Sequence, residues 1–144
     1  MTKKPDARKY LIATHGALAG GVQSAVEMII GAAENLYLIQ AYMDGSKQIG
    51  DELKVVLEKV QPGEELIVFT DLLGGSVNNQ VLNQALRKNV HVVSGFSLPL
   101  VIEIMMGDPG TPIQQIINEA VDRARSQMVY VNPLIAQPNV NEND

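Results

Sequence analysis

The chain has 144 residues, 46% of them hydrophobic and 19% charged, the balance of one globular domain with a genuine core. A formal charge of −5 argues against nucleic acid as a partner, because neutralising phosphates needs a basic surface. The absence of cysteine removes disulfides, thiolate catalysis and Cys-based zinc sites, and no apolar run approaches the length of a membrane span. No uncharged segment follows the basic start, so no signal peptide is expected and the cytoplasm is the default location.

Residues 1–8 read as a polar arm. Tyr10–Thr14 is a continuous apolar run bounded by glycine, the pattern of a buried strand. Val22, Val26, Ile29, Ile30 and Ala33 then recur at helical spacing. Leu36–Met43 is strand-like, and Asp44-Gly45-Ser46 marks a turn with Ser46 as a candidate helix cap. Ile49, Leu53, Val56, Leu57 and Val60 predict a helix that Pro62-Gly63 ends. Leu66–Thr70 is a third strand, and Ser76 opens a helix carrying Val77, Val81 and Ala85. Val90–Ser94 is a fourth strand. Ser97-Leu98-Pro99 and Thr111-Pro112 each start a helix, with proline where its missing N–H costs nothing. Met128–Val131 reads as a last short strand, expected to pair at an edge of its own sheet or of a partner's. Residues 133–144 read as a frayed tail, leaving a single domain over residues 9–132. Strands alternating with helices imply a mostly parallel α/β sheet covered on both faces.

In such a sheet, chemistry collects at the carboxyl ends of the strands. There the first strand ends in Thr14-His15-Gly16 and the third in Thr70-Asp71-Leu72-Leu73-Gly74-Gly75-Ser76. The chain has no P-loop, no Gly-x-Ser-x-Gly elbow and no Gly-x-Gly-x-x-Gly spacing. Its two histidines fall at opposite ends of their strands, so neither a metal nor a cofactor is expected, and His91 reads as a surface residue. His15 remains as a nucleophile. Asp71 is the carboxylate that would fix its tautomer, and Thr14, Gly74, Gly75 and Ser76 are candidates for binding an anion. Taken singly, Asp71 is a turn residue and Ser76 a plain helix cap. Only the combination points to phosphoryl transfer, which needs positioning and charge more than a cofactor.

With these residues in place, the chain resembles the IIA domain of the mannose-class bacterial sugar phosphotransferase system. The likeness rests on Thr14-His15-Gly16, Leu18-Ala19-Gly20-Gly21, Ala25-Val26-Glu27-Met28, the Asp71-to-Ser76 loop and Gly95-Phe96-Ser97-Leu98-Pro99-Leu100, and it spans about residues 8–132. The resemblance implies a phosphotransferase in which His15 takes a phosphoryl group from the histidine-containing phosphocarrier protein. The group then passes to a IIB component that serves the IIC and IID membrane subunits. Asp71 would bond the δ nitrogen while the ε nitrogen carries the phosphoryl group near Ser76. The expected fold is an open doubly wound sheet of four parallel strands in order 2-1-3-4. A C-terminal antiparallel edge strand would be exchanged in a homodimer. Val77 and Leu73 depart from family members that carry proline and tryptophan at those places. Rival readings are the phosphoryl-donor subunit of a dihydroxyacetone kinase system, a phosphorylation-state regulatory module and a non-catalytic anion-binding domain.

Overall fold

The structure, a computed structural model, describes residues 7–43, 49–85, 87 and 89–136. The expected turn at Asp44-Gly45-Ser46, most of the N-terminal arm and residues 137–144 lie outside the described residues. Four strands, β1 (Arg8–His15), β2 (Leu36–Ala41), β3 (Glu65–Thr70) and β4 (Val90–Ser94), form one parallel sheet in the order β2-β1-β3-β4. Helices α1 (Leu18–Ile30), α2 (Ile49–Glu58), α3 (Ser76–Ala85), α4 (Leu98–Met105) and α5 (Ile113–Ser126) cover it, and α6 (Val131–Ala136) follows.

Strand alternation sorts the two faces. Tyr10, Ile12, Ile67 and Phe69 join the core with residues of α1, α4 and α5. Leu11, Ala13, Leu66 and Val68 join the opposite core with residues of α2 and α3. Both faces of β1 and β3 are therefore dry, which is why these strands read as unbroken apolar runs rather than alternating ones. The chain order reverses between β1 and β3, so the switch point where α/β sheets bind ligands lies at the ends of these two strands.

At the amino ends of the strands the buried Arg8 guanidinium donates to the carbonyls of Asp108 and Thr111, pinning the α4–α5 loop under the sheet. His91 lies near the same end. Its Nε2 is 3.0 Å from Glu65 Oε1 and its side chain is mostly buried, so it is a paired residue and not the surface one its position suggested.

The C-terminal segment does not form a strand within this single chain. Met128–Tyr130 has no regular structure and Val131 begins α6, so the described residues contain a four-stranded sheet. A strand exists only where a neighbouring edge takes up its backbone N–H and C=O groups. No strand of the chain's own sheet pairs with this segment, and Met128 is left 88% exposed. Val129, Tyr130, Leu134 and Ile135 are exposed as well. The β4 edge borders a cavity of about 310 Å³ lined by His91, Val93, Gln114 and Ile117 among others.

Candidate functional site

The site begins with the parity of β1. His15 shares its face with Leu11 and Ala13, toward α2 and α3, while Thr14 faces α1. Thr14 is fully buried and its Oγ1 accepts the Ala19 N–H at 2.9 Å, in the first turn of α1. The structure thus gives Thr14 to the helix start and not to the surface around His15. Gly16, at φ +57°, turns the chain out of the strand, and its N–H closes the end of β2 on the Ala41 carbonyl at 2.9 Å.

Ala13 lies opposite Thr70 in the β1–β3 register, so Asp71, one residue past Thr70, reaches across to His15, two residues past Ala13. The Asp71 Oδ2 accepts two hydrogen bonds from His15, one from its backbone N–H at 2.8 Å and one from ring Nδ1 at 3.0 Å. The Asp71 side chain is 11% exposed and that of His15 38%. Burial alone would raise the Asp71 carboxyl, but the two His15 hydrogen bonds and the His15 charge outweigh it and hold the group below its ordinary value. An ionised Asp71 accepts, so in the neutral imidazole Nδ1 carries the proton and Nε2 the lone pair.

The glycine-rich loop supplies the surroundings of Nε2. Gly74 sits at φ +78°, a conformation that disfavours a side chain. At Gly75 a Cβ would lie 3.1 Å from Leu72 Cβ and 3.3 Å from the Leu72 carbonyl oxygen, so glycine lets the loop fold back on Leu72; the same Cβ would be in ordinary contact with His15 Cε1 at 3.6 Å. Ser76, the first residue of α3, places its Oγ 3.3 Å from Nε2. The buried Thr70 hydroxyl donates to Asn78 Oδ1 at 2.8 Å and locks the first turn of α3 onto the end of β3. The N-terminal end of α3, where helix N–H groups lack partners and the dipole is positive, therefore begins beside the ring. His15, Asp71, Gly75 and Ser76 meet at one point, with Gly74 just behind.

Three neighbours were not anticipated. The Tyr42 hydroxyl is 2.8 Å from Ser76 Oγ, and the Tyr42 and His15 ring centroids are 5.6 Å apart. Gln40 Oε1 accepts the Gly20 N–H at 3.0 Å, and Asn78 holds Thr70. Tyr42 follows the last residue of β2, so strand order brings its backbone to the end of the sheet that holds His15. Leu18, Tyr42, Met43, Leu72 and Leu73, each within a few residues of the carboxyl end of β1, β2 or β3, are exposed apolar side chains. Among the described residues no cluster of His, Cys, Asp and Glu could hold a metal ion, and no helix is long and apolar enough to cross a membrane. The arrangement suits an exposed imidazole that attacks an electrophile through Nε2 while Asp71 stabilises the developing ring charge.

Comparison with known proteins gives this geometry its setting. Residues 9–122 match the family described as the fructose IIA component of the phosphotransferase system. A sorbose-specific EIIA component of Lacticaseibacillus casei is 26% identical over 114 residues, 76% of this chain and 80% of that protein. Its counterpart from Klebsiella pneumoniae is 31% identical over 99 residues, 66% and 70% of the two chains. A solved Klebsiella pneumoniae structure, titled a phosphoenolpyruvate-dependent sugar phosphotransferase system permease, superposes with a TM-score of 0.85 at 29% identity. It covers 94% of this chain and 98% of its own. These matches leave the dihydroxyacetone kinase reading without support. The chain belongs to the mannose- and fructose-class IIA components of the sugar phosphotransferase system, whose general role is to relay phosphoryl groups to a IIB component.

Proposed function

We propose that His15 is the residue that carries the phosphoryl group, through Nε2. The observation behind this is the single Asp71 oxygen that holds both the backbone N–H and Nδ1 of His15 and leaves Nε2 turned to Ser76 at the head of α3. The Nε2 lone pair forms the new P–N bond as the P–N bond of the donor's phosphohistidine breaks, with its electron pair staying on the donor ring. Ser76 and the N–H groups around Gly75 receive the phosphoryl oxygens. No cofactor enters. The donor is the histidine-containing phosphocarrier protein and the acceptor a IIB component, both docking on the exposed apolar side chains at this end of the sheet. The chain works on the cytoplasmic side of a IIC/IID sugar permease.

Incubation with phosphoenolpyruvate, enzyme I and the phosphocarrier should add one acid-labile phosphoryl group per chain, and none to His15→Ala. Label retained by that variant would remove His15 from the role. We further propose that Met128–Val131 becomes a strand by pairing with β4 of a second copy, beside the cavity at that edge. Sedimentation should then find a dimer for the full chain and a monomer for a chain ending at Gln127. A dimer that survives the truncation would refute the exchange.

A further inference from the structure

We propose that Tyr42 is a positioning residue for phosphoryl transfer. Its phenol holds the Ser76 hydroxyl on His15 Nε2, and then on the phosphoryl oxygens once Nε2 is occupied. The inference rests on the reading of His15 as the phosphoryl acceptor.

The backbone is the first observation. Among the described residues Tyr42 is the only non-glycine with positive φ, at 65°. A bulky side chain rarely adopts that conformation, and such residues cluster at functional sites. Here the conformation turns the chain out of β2 and brings the phenol over the end of β1. The ring lies 5.6 Å from that of His15, tilted by 39°. Although Tyr42 is 60% exposed, its hydroxyl is engaged, 2.8 Å from Ser76 Oγ.

Proton counting gives the chain of bonds a direction. In the neutral ring, the form that can attack, Asp71 accepts from Nδ1, so Nε2 has a lone pair and no proton. Ser76 must therefore donate its one hydroxyl proton to Nε2, 3.3 Å away. Its oxygen is then the acceptor, and the Tyr42 phenol the donor. The order is Tyr42 O–H to Ser76 O–H to Nε2. When the new P–N bond forms, the lone pair is used and the Ser76 proton turns to a phosphoryl oxygen. Nothing else changes hands: the ring keeps its Nδ1 proton and the phenol keeps its own. Without the phenol, Ser76 is free to rotate, and the donor that meets the incoming charge is no longer pre-aimed.

The test is Tyr42→Phe, which keeps the ring and removes the hydroxyl, alone and combined with Ser76→Ala. Loss of one neutral hydrogen bond predicts single-turnover transfer from saturating phosphocarrier about five-fold slower, with thermal melting close to wild type. In the Ser76→Ala background the same change should cost nothing further, because the phenol acts through Ser76. The ¹⁵N resonance of His15 Nε2 should move in Tyr42→Phe toward its position in Ser76→Ala. Tyr42→Phe transfer at the wild-type rate, an unmoved Nε2 resonance, or an effect confined to KM for the phosphocarrier would each overturn the proposal. His15→Ala separates the two readings. Label in that variant sinks the acceptor assignment itself, whereas an unlabelled His15→Ala beside a normal Tyr42→Phe sinks only the role of Tyr42.

Discussion

Asp71→Asn probes the two halves of one contact. In the structure Oδ2 receives the His15 backbone N–H at 2.8 Å and the ring Nδ1 at 3.0 Å. An amide oxygen in its place keeps both bonds but loses their charge. Hydrogen bonds to charged groups contribute about 1.5–3 kcal/mol against about 0.5–1.5 for neutral ones, so each bond weakens by about 1 kcal/mol. Both weakened bonds lower stability, together by about 2 kcal/mol or about 4–8 °C in melting temperature, and the backbone bond, the same before and during reaction, does not touch the rate. The ring bond strengthens as positive charge develops on the imidazole, so its loss of about 1–2 kcal/mol appears as a rate about 5- to 30-fold lower. The backbone N–H also keeps the amide the right way round, because a reversed amide would point its NH₂ at that donor. Rapid-quench measurement of phosphoryl transfer from saturating phosphocarrier, with a melting curve on the same sample, reads both halves. A rate within about two-fold of wild type would make Asp71 a purely structural residue. A loss near 10⁴-fold, the size seen when asparagine enforces the wrong tautomer in a hydrolytic triad, would mean that the amide had turned and that the backbone bond does not guide it.

The pH dependence of stability follows from the same contact. Asp71 is held below its ordinary pKa, so its contribution is complete above about pH 4 and disappears as the pH falls through the lowered folded value. Urea unfolding of wild type and Asp71→Asn should therefore differ near neutrality and converge in acid. A gap that persists in strong acid would refute the assignment. Far from His15, Gly107→Ala should destabilise without touching transfer. A Cβ there would lie 2.7 Å from Ile116 Cδ1 and 2.9 Å from its Cγ2, and a β-branched side chain in a helix has little room to turn away. Overpacking of this kind costs about 1–3 kcal/mol. A lower denaturation midpoint with a normal transfer rate is the expected result, and an unchanged midpoint would show that Ile116 moves freely.

Much of this geometry was legible because it follows from local rules. Continuous apolar runs at Tyr10–Thr14 and Leu66–Thr70 announced strands dry on both faces, and their ends located His15 and Asp71. The same period of two could have set Thr14 aside, since a residue adjacent to His15 must point to the other face. Tyr42 escaped notice for a different reason. The apolar run through Met43 reads as extended chain, whereas β2 stops at Ala41 because Tyr42 takes a left-handed conformation that the tertiary surroundings impose. Met128–Val131 has the composition of a strand, but composition cannot provide the edge a strand requires. Leu73 stands 84% exposed beside the site, and its solitary position in a loop gave no periodicity to interpret.

Because all four strands run the same way, the sheet has two unlike poles. One pole holds His15, Asp71 and Ser76; the other holds the Arg8 clamp on the Asp108–Thr111 loop. The seven steps of β1 from Arg8 to His15 separate them by about 23 Å at strand rise. The Arg8 pole bears on stability, whereas the His15 pole carries turnover together with the part of stability that Asp71 supplies. Substitutions that fasten or loosen the Arg8 pole can retune how long the fold lasts, in a warmer or colder cell, while the docking partners meet an unaltered His15.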